Sequence, residues 1–168
     1  MIRAAIASSS LGSVLVATSE AGVCAVWMGD DPDALRSLFL DSFAAHKEVS
    51  FASDPALADV TAKVIARIER PGEAARPLPL DLQGTPFQRK VWSALCEIPM
   101  GTTTTYRDLA ARIGAPAAVR AVAGACARNQ VAIAIPCHRV VRSDGNLSGY
   151  RWGIARKKAL LVREGARA

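Results

Sequence analysis

The sequence has few of the residues that build metal sites or disulfide frameworks. It contains two histidines, His46 and His138, and four cysteines without any Cys-x-x-Cys spacing: Cys24, Cys96, Cys126 and Cys137. Zinc sites need clustered ligands, so we expect no structural metal and no cofactor. Scattered cysteines are typical of reduced thiols in a cytoplasmic protein, because disulfides are rare in reducing compartments.

Long apolar runs are also missing. No segment reaches the roughly 18 apolar residues that a membrane span requires, so we expect no membrane partner. The N-terminal residues superficially resemble a secretory signal, but Ser8–Ser10 and Gly12 interrupt the apolar stretch. We predict two short strands instead, over residues 11–16 and 23–28.

Acidic residues are scarce in the second half of the chain. The formal net charge is +6, yet residues 1–83 carry 7 Lys/Arg and 11 Asp/Glu, whereas residues 84–168 carry 14 and 4. The first half therefore has a net charge of about −4 and the second half a net charge of about +10. A basic half indicates a nucleic acid or another anionic partner. Solvated basic helices with no polyanion partner are the alternative.

The first half alternates short strands with helices, which predicts a small α/β domain over residues 1–80. One amphipathic stretch runs from Pro32 to about Ala45. A second begins at Asp54 and Pro55, an N-cap followed by proline at the first helical position. It places five apolar residues on one face: Leu57, Val60, Val64, Ile65 and Ile68. Residues 69–86 hold four prolines and two glycines, which indicates a linker.

The second half predicts a winged-helix domain with a helix-turn-helix, over residues 84–168, so that the fold class is α+β. A capping box at Thr85 to Gln88 starts a helix that runs to about Glu97. A helix over 106–113, which Gly114 can close, is followed almost at once by one from Pro116 to about Arg128. We further predict a strand over 131–135, a loop over 149–153 and a last helix over 154–164.

The second helix of this pair has a surface of small residues, with Arg120 as its only long polar side chain near the middle. The small residues are Ala117, Ala118, Ala121, Ala123, Gly124 and Ala125. Major-groove recognition needs several long polar side chains, which this helix lacks. A small-residue face suits close approach to a minor groove, and Arg120 could enter the duplex. Alternatively, the alanines simply pack against neighbouring helices.

The segment around Cys137 carries the chemistry. Pro136 can start a helical turn, at which unpaired backbone N–H groups and Arg139 would favour the thiolate of Cys137. Taken alone, a Cys-His dipeptide is more often a buried thiol beside a surface histidine than a catalytic pair. Glu164 ends the last helix, where the macrodipole disfavours an anion, so a partner such as His138 could compensate and complete a Cys-His-acid relay. A surface ion pair with Arg163 or Arg167 is the alternative.

Three segments together resemble the 6-O-alkylguanine-DNA alkyltransferases, also called methylated-DNA–protein-cysteine methyltransferases. They are PCHRVV (136–141), SGYRWG (148–153) and LLVREG (160–165), and the second is most similar to the Ada-type members. The resemblance covers the second half densely and the first weakly, and it implies a ribonuclease H-like N-terminal domain. It also implies extrusion of the damaged nucleotide through the minor groove and irreversible transfer of its alkyl group to Cys137.

The resemblance assigns a role to each matching residue. His138 would take the cysteine proton through a water with Glu164 behind it, and Asn129 would brace the site. Tyr106 would offer its hydroxyl to the departing base. Arg120 would fill the vacated space in the duplex, with Ala118, Ala121 and Gly124 against the groove. The cavity would be lined by the ring of Tyr150 and by the backbone of Cys137, Val140 and Arg151.

The sequence also departs from its relatives. The Ada-type members carry an additional N-terminal zinc domain, for which we find no counterpart, so regulation by self-methylation is not implied. Catalytically inactive relatives replace the nucleophile with tryptophan, whereas Cys137 is present here. The expected partner is double-stranded DNA with 6-O-alkylguanine, and with 4-O-alkylthymine as a second candidate lesion, bound by a monomer. A non-catalytic damage sensor or winged-helix regulator, and a cysteine hydrolase, are the competing hypotheses.

Overall fold

The computed structural model describes residues 1–43, 45, 47–73 and 77–166, and the chain forms two compact units. Unit 1 comprises Met1–Gln83 with Gln130–Ala134, and unit 2 comprises Gly84–Asn129 with Ile135–Ala168. The short segment 130–134 therefore belongs to unit 1, an arrangement that was not expected from the sequence. Residues 74–76 of the expected linker, together with His46 and Arg167, lie outside the described residues.

Unit 1 contains a four-stranded sheet in the order β3-β2-β1-β4. Its strands are β1 (Ile2–Ser9), β2 (Gly12–Thr18), β3 (Val23–Gly29) and β4 (Val49–Ser50). The first three strands pair antiparallel, and β4 pairs parallel with β1. The predicted strands over 11–16 and 23–28 are confirmed as β2 and β3.

Strand β1 was missed because its serines looked like interruptions. Ser8 and Ser9 lie inside the strand, opposite Ser13 and Gly12. The Ser9 hydroxyl accepts a hydrogen bond from the Leu11 amide at 3.1 Å and donates one to the Gly12 carbonyl at 2.8 Å. These serines therefore stabilise the hairpin turn, as small hydroxyl side chains often do.

Two helices of unit 1 match the predicted amphipathic stretches. Helix α1 spans Pro32–Phe43, so it ends before Ala45, and helix α2 spans Pro55–Glu69. Asp54 caps α2 by accepting hydrogen bonds from the amides of Ala56 and Leu57, at 2.8 and 3.1 Å. Of the predicted apolar face, Leu57, Val64 and Ile68 are buried. Local capping therefore defines where this helix begins.

The strand predicted over 131–135 is wrong. Val131 makes a single bridge with Val26, and the Val26 amide donates to the Gln130 carbonyl at 2.9 Å. Ile133 then adopts a φ of +71°, and the Ala134 amide donates to the Ala132 carbonyl at 2.8 Å. A left-handed β-branched residue cannot continue a strand, so the chain turns here despite its apolar sequence.

Unit 2 is built from four helices and one pair of short strands. They are α3 (Pro86–Cys96), β5 (Thr104–Thr105), α4 (Tyr106–Arg112), α5 (Val119–Ala127), β6 (Val140–Val141) and α6 (Ile154–Arg163), with β5 parallel to β6. The predicted capping box at Thr85 and Gln88 is confirmed. Residues from all four helices form a buried core that includes Val91, Leu95, Leu109, Val122 and Leu161.

The turn between α4 and α5 is longer than predicted. Gly114 adopts a φ of +78° directly after the C-cap of α4, as expected for a closing glycine. Helix α5 begins at Val119 rather than at Pro116, because the Ala118 amide bonds the Ala115 carbonyl at 2.9 Å in a separate turn. Pro116 therefore starts this turn and not the helix. Among the described residues, no helix is both long enough and apolar enough to cross a membrane.

Candidate active site

A 3-10 turn over Cys137–Arg139 presents the reactive segment. Pro136 is its N-cap, the Cys137 amide donates to the Ile135 carbonyl at 2.8 Å, and the Arg139 amide donates to the Pro136 carbonyl at 3.0 Å. On an extended strand, Cys137 and His138 would point to opposite faces. The turn removes this constraint, and it leaves Cys137 partly exposed while His138 is buried.

Asn129 braces the turn from the end of α5. Its side chain is 3% exposed, and its Nδ2 donates to the Ile135 carbonyl at 2.9 Å and to the Cys137 sulfur at 3.2 Å. One amide group therefore holds both the backbone before the turn and the thiol itself. A donor at this distance stabilises a sulfur anion more than a neutral thiol.

His138 and Glu164 form a buried pair with a defined tautomer. Nε2 of His138 lies 2.7 Å from Oε1 of Glu164, and the two side chains are 1% and 6% exposed. Burial opposes ionisation of Glu164, but the hydrogen bonds from His138 and Arg139 lower its pKa from 4.5 to about 2. A carboxylate only accepts, so Nε2 must carry the hydrogen, and Nδ1 of a neutral imidazole then keeps its lone pair.

Arg139 contacts Glu164 rather than the thiol. Its Nε donates to Oε2 of Glu164 at 2.9 Å, its Nη2 donates to Oε1 at 3.0 Å, and its Nη1 donates to the Ile98 carbonyl at 2.7 Å. The expectation that Arg139 favours the Cys137 thiolate is therefore wrong. The alternative of a surface ion pair between Glu164 and Arg163 also does not hold, because Glu164 is buried and pairs with His138 and Arg139.

Several groups around Cys137 act on its pKa in opposite directions. Burial raises the pKa of Cys137, and the Asn129 hydrogen bond with the charges of Lys157 and Arg151 only partly offsets this. The backbone N–H group of Cys137 also lowers this pKa, in the direction expected from the sequence, while desolvation acts the other way. The thiol must lose its proton to a base before it reacts.

Cys137 lies on the wall of a cavity of about 380 Å³ within unit 2. The other lining residues are Tyr106, Ala123, Cys126, Ala127, Ser148, Gly149, Tyr150 and Arg151. Burial raises the pKa of Tyr106 and, further, that of Tyr150, so both phenols stay protonated and can donate. A cavity of this size accommodates a small planar molecule.

Two buried polar atoms lack a hydrogen-bond partner among the described residues: Nδ1 of His138 and the hydroxyl of Tyr150. Buried polar atoms are nearly always paired, so such an atom is a candidate for contact with substrate or water. Nδ1 is the nitrogen that the tautomer leaves able to accept a proton. The site therefore contains a thiol, an available base and a protonated phenol.

Some of the small residues of α5 pack in the interior, whereas others are exposed. Ala125 is buried and its carbonyl accepts a hydrogen bond from Trp92 Nε1 at 2.9 Å, so the packing interpretation holds for that residue. Arg120 and Ala121 are exposed, whereas Ala118 and Gly124 are half-buried. Residues 118, 121 and 124 share one side of the helix by their spacing. A strip with little side-chain bulk thus remains accessible next to Arg120.

Comparison with known proteins identifies the family. Residues 86–166 match the family described as 6-O-methylguanine DNA methyltransferase, DNA binding domain. The methylated-DNA–protein-cysteine methyltransferase of Lodderomyces elongisporus is 36% identical over 159 residues, which cover 82% of this chain and 79% of that protein. This chain belongs to the methylated-DNA–protein-cysteine methyltransferase family.

Further members of this family are similar to the chain. The bifunctional transcriptional activator/DNA repair enzyme Ada of Escherichia coli (strain K12) is 50% identical over 168 residues, covering 97% of this chain and 45% of Ada. The chain thus spans about half the length of the first curated relatives that it matches. The crystal structure of Mycobacterium tuberculosis OGT in complex with DNA is similar, with a TM-score of 0.80, 32% identity and coverage of 97% of this chain and 92% of that one. The mixed α/β fold is therefore shared with these methyltransferases.

Sequence reasoning missed one charged residue of this site. Lys157 is fully buried in α6, and its Nζ donates to the carbonyl of Val140 at 2.6 Å, to that of Leu147, and to that of Gly149 at 3.4 Å. Val140, expected to line the cavity, is not among its lining residues, and its carbonyl already accepts from Lys157. Lys157 lies within a run of basic residues, and nothing in the sequence distinguishes it from exposed Lys158.

Proposed function

We propose that this protein repairs 6-O-alkylguanine in DNA by transferring the alkyl group once, and irreversibly, to Cys137. The observation that carries the proposal is the Cys137 sulfur on the wall of a cavity, held by Asn129 and next in sequence to a buried His138–Glu164 pair. A cysteine thiol beside a histidine whose imidazole is held by a carboxylate is an arrangement that supports nucleophilic catalysis. Family membership supports the same chemistry.

His138 acts as the base in this proposal. Glu164 holds Nε2–H, so Nδ1 accepts the thiol proton, directly or through a water molecule. The charge of Glu164 then stabilises the imidazolium that forms. Asn129 donates to the sulfur as it becomes negative, which is the stage at which that hydrogen bond strengthens.

The transfer step makes a carbon–sulfur bond and breaks the bond between the alkyl carbon and guanine O6. The electron pair of that bond stays on guanine, and Tyr106 donates a proton to the departing base. Tyr106 then regains a proton from solvent, and the His138 imidazolium releases the thiol proton to solvent. The net change converts thiol and alkylguanine into thioether and guanine. A thioether is a poor leaving group and no second nucleophile regenerates the thiol, so each chain reacts once.

The remaining cavity residues bind the extruded base. The ring of Tyr150 and the backbone of Cys137 and Arg151 contact it, whereas Val140 is buried outside the cavity and its carbonyl accepts from Lys157. Nucleotide flipping costs a few kcal/mol in lost stacking and pairing. Contacts with the cavity residues and the hydrogen bonds that they offer compensate for this cost.

Double-stranded DNA is the proposed partner, bound through the minor groove. Support comes from the basic second half, from the strip of Ala118, Ala121 and Gly124 on α5, and from the related Mycobacterium tuberculosis protein crystallised with DNA. Arg120 projects from the same helix and would fill the space that the flipped nucleotide leaves. Phosphate contacts by Lys and Arg would make binding sensitive to salt.

We also propose that unit 1 is a ribonuclease H-like domain and unit 2 a winged-helix domain. The antiparallel strands β1 to β3 extended by parallel β4 support the first assignment, and helices α4 and α5 followed by β6 support the second. We propose further that the protein acts as a monomer in the cytoplasm, where its four cysteines, none of which forms a disulfide, would stay reduced.

The deciding experiment uses duplex oligonucleotide with a labelled methyl group on guanine O6. We expect at most one label per chain, located on Cys137 by peptide mass spectrometry. Cys137→Ser should abolish transfer, whereas Cys96→Ser, which changes an exposed cysteine outside the cavity, should leave it intact. Undiminished transfer in Cys137→Ser would refute the proposal.

Other outcomes identify the competing functions. Lesion binding with the methyl group still on guanine indicates a damage sensor or regulator. Many product molecules per chain indicate a hydrolase that uses Cys137 and His138. Intact mass separates both outcomes from self-alkylation, because only self-alkylation replaces the thiol hydrogen by a methyl group and so adds one CH2 to the mass of the protein.

A further inference from the structure

Ser148 has an unusual backbone conformation for a residue with a side chain. Its φ is +64°, in the left-handed region that glycine adopts at little cost, yet the adjoining Gly149 is not among the glycines with a positive φ. The amide of Ser148 donates to Oδ1 of Asn146 at 2.9 Å, which holds the turn. Glycine would fit this position with less strain, so the serine side chain is a candidate for a functional contact.

The Ser148 side chain meets Tyr106 in the cavity that contains Cys137. Ser148 and Tyr106 both line this cavity, and both are half-buried. Their hydroxyl groups are joined by a side-chain hydrogen bond. Tyr106 starts α4, whereas Ser148 lies in the loop before α6, so the bond connects two walls of the cavity. A pair of hydroxyl groups therefore shares the cavity with the nucleophile.

The direction of this hydrogen bond determines what Tyr106 can do. Each hydroxyl has one hydrogen to donate and can also accept. When Ser148 donates to the phenol oxygen, the phenol hydrogen remains free for a base in the cavity. Burial raises the pKa of Tyr106, and the hydrogen bond from Ser148 lowers it. The charged forms of Cys126 and Cys137 raise this pKa and Arg142 lowers it, but among these groups only Ser148 forms a hydrogen bond with the phenol.

A hydrogen-bond donor to the phenol oxygen is most effective while the proton leaves. As Tyr106 donates its proton to the departing guanine, negative charge develops on the phenol oxygen. A hydrogen bond to a charged oxygen is stronger than one to a neutral oxygen, so Ser148 stabilises the developing charge. Ser148 keeps its own proton throughout, and Tyr106 regains a proton from solvent.

We propose that Ser148 is a positioning residue for alkyl transfer: its hydroxyl directs the Tyr106 phenol towards the departing base and stabilises the negative charge that develops on the phenol oxygen. The inference rests on the proposed function, since it assigns a residue to the proton-donation step of that reaction. It also gives a reason for a side chain at a left-handed position. Glycine would relieve the backbone there but has no hydroxyl.

The test compares Ser148→Gly and Ser148→Ala with Tyr106→Phe and with the double variant Ser148→Gly/Tyr106→Phe. Glycine fits the left-handed backbone and alanine keeps Cβ, while both lack the hydroxyl. The control Ser143→Gly changes an exposed serine in the preceding turn. The first readout is the single-turnover rate of methyl transfer from duplex DNA at saturating protein.

Transfer should slow about fivefold in both Ser148 variants, because the phenol loses the hydrogen bond that stabilises its charged form. In the Tyr106→Phe background, Ser148→Gly should cause no further slowing, since no phenol remains for the hydroxyl to act on. Ser143→Gly should react at the wild-type rate. A wild-type rate in Ser148→Gly, or an equal loss from Ser148→Gly with and without the Tyr106 hydroxyl, would overturn the inference.

The second readout is the rate at which iodoacetamide modifies Cys137, measured by peptide mass spectrometry. Iodide leaves without a proton, so this reaction needs no acid and should proceed in the Ser148 variants at the wild-type rate. If it slows as much as methyl transfer does, Ser148 acts on the cavity or on the nucleophile and not through Tyr106, which contradicts the inference.

Failure of the inference and failure of the proposed function give different results. A wild-type protein that reacts with iodoacetamide at Cys137 but accepts no methyl group from DNA would overturn the proposed function. Methyl transfer at equal rates in the wild type and in Ser148→Gly would overturn the inference alone. A wild-type rate in Tyr106→Phe would remove both the proton donation by Tyr106 and the inference, while alkyl transfer to Cys137 would stand.

Discussion

The imidazole of His138 and the carboxylate of Glu164 are joined by a hydrogen bond of 2.7 Å between Nε2 and Oε1, and both groups are almost completely buried. Glu164 lies at the C-cap of α6, where the helix dipole disfavours an anion. The contacts of His138 and Arg139 outweigh that cost and keep the carboxylate ionised. The predictions below test what this pair and its neighbours do.

Glu164 should make the stability of the protein depend on acid pH. Its pKa is lowered from 4.5 to about 2 in the folded protein, so its contribution is fully present above the unfolded pKa and is lost as the pH falls from about 4.5 towards 2. This lower pKa adds about 3 kcal/mol to the free energy of unfolding at neutral pH. About 2 kcal/mol of that contribution should be lost between pH 7 and pH 3. Urea unfolding at pH 7 and at pH 3 measures this difference in the free energy of unfolding.

Glu164→Gln should remove this dependence, because glutamine does not titrate. The control Glu97→Gln changes an exposed glutamate in the same unit and should keep the wild-type difference between pH 7 and pH 3. An equal loss of unfolding free energy in the wild type and in Glu164→Gln would show that the carboxylate is not held as described.

Arg139→Lys should slow methyl transfer although the charge is kept. Arg139 holds both oxygens of Glu164 and the Ile98 carbonyl through its planar guanidinium, and a lysine cannot reproduce this geometry. We expect a decrease of about tenfold, as is common when a partner that orients a catalytic group is lost. Arg89→Lys, an exposed arginine of α3, serves as the control. Single-turnover rates that are equal in all three proteins would refute the orienting role.

Arg120→Ala should affect duplex repair far more than reaction with free base. Arg120 is exposed on α5, outside the cavity, so its proposed contact exists only when a nucleotide has left the helix. We expect slower transfer from duplex DNA and little change with free 6-O-benzylguanine, since the free base needs no flipping. The free base is thus the internal control. Equal slowing with both substrates would exclude a place for Arg120 in the duplex.

Tyr106→Phe should slow transfer and leave DNA affinity largely unchanged. The Tyr106 side chain lines the cavity, and its raised pKa keeps the hydroxyl protonated over the working pH range. Loss of a positioned general acid typically costs about 10²- to 10⁴-fold in rate. Single-turnover kinetics at saturating protein, with affinity measured separately by anisotropy, test this. A rate equal to that of the wild type would exclude proton donation by Tyr106.

Local hydrogen bonds explain why several elements were predictable. The Asp54 cap, the Thr85–Gln88 capping box and the left-handed Gly114 each involve residues within four positions of one another. Such interactions depend little on the rest of the chain. The same local reasoning failed at 131–135, where pairing of Val131 with distant Val26 ends after one residue and Ile133 turns the chain.

The sequence singled out Cys137, His138 and Glu164 as candidates only through the resemblance of the three segments around them to one family, because each residue by itself had an ordinary structural explanation. Which groups meet was decided by tertiary structure: Arg139 contacts Glu164 and not the thiol, and Lys157 is buried whereas Lys158 is exposed. The physical reason is desolvation, since the energy of a charge depends on the carbonyls, carboxylates and water around it. Those surroundings come from segments distant in sequence, and only folding brings them together.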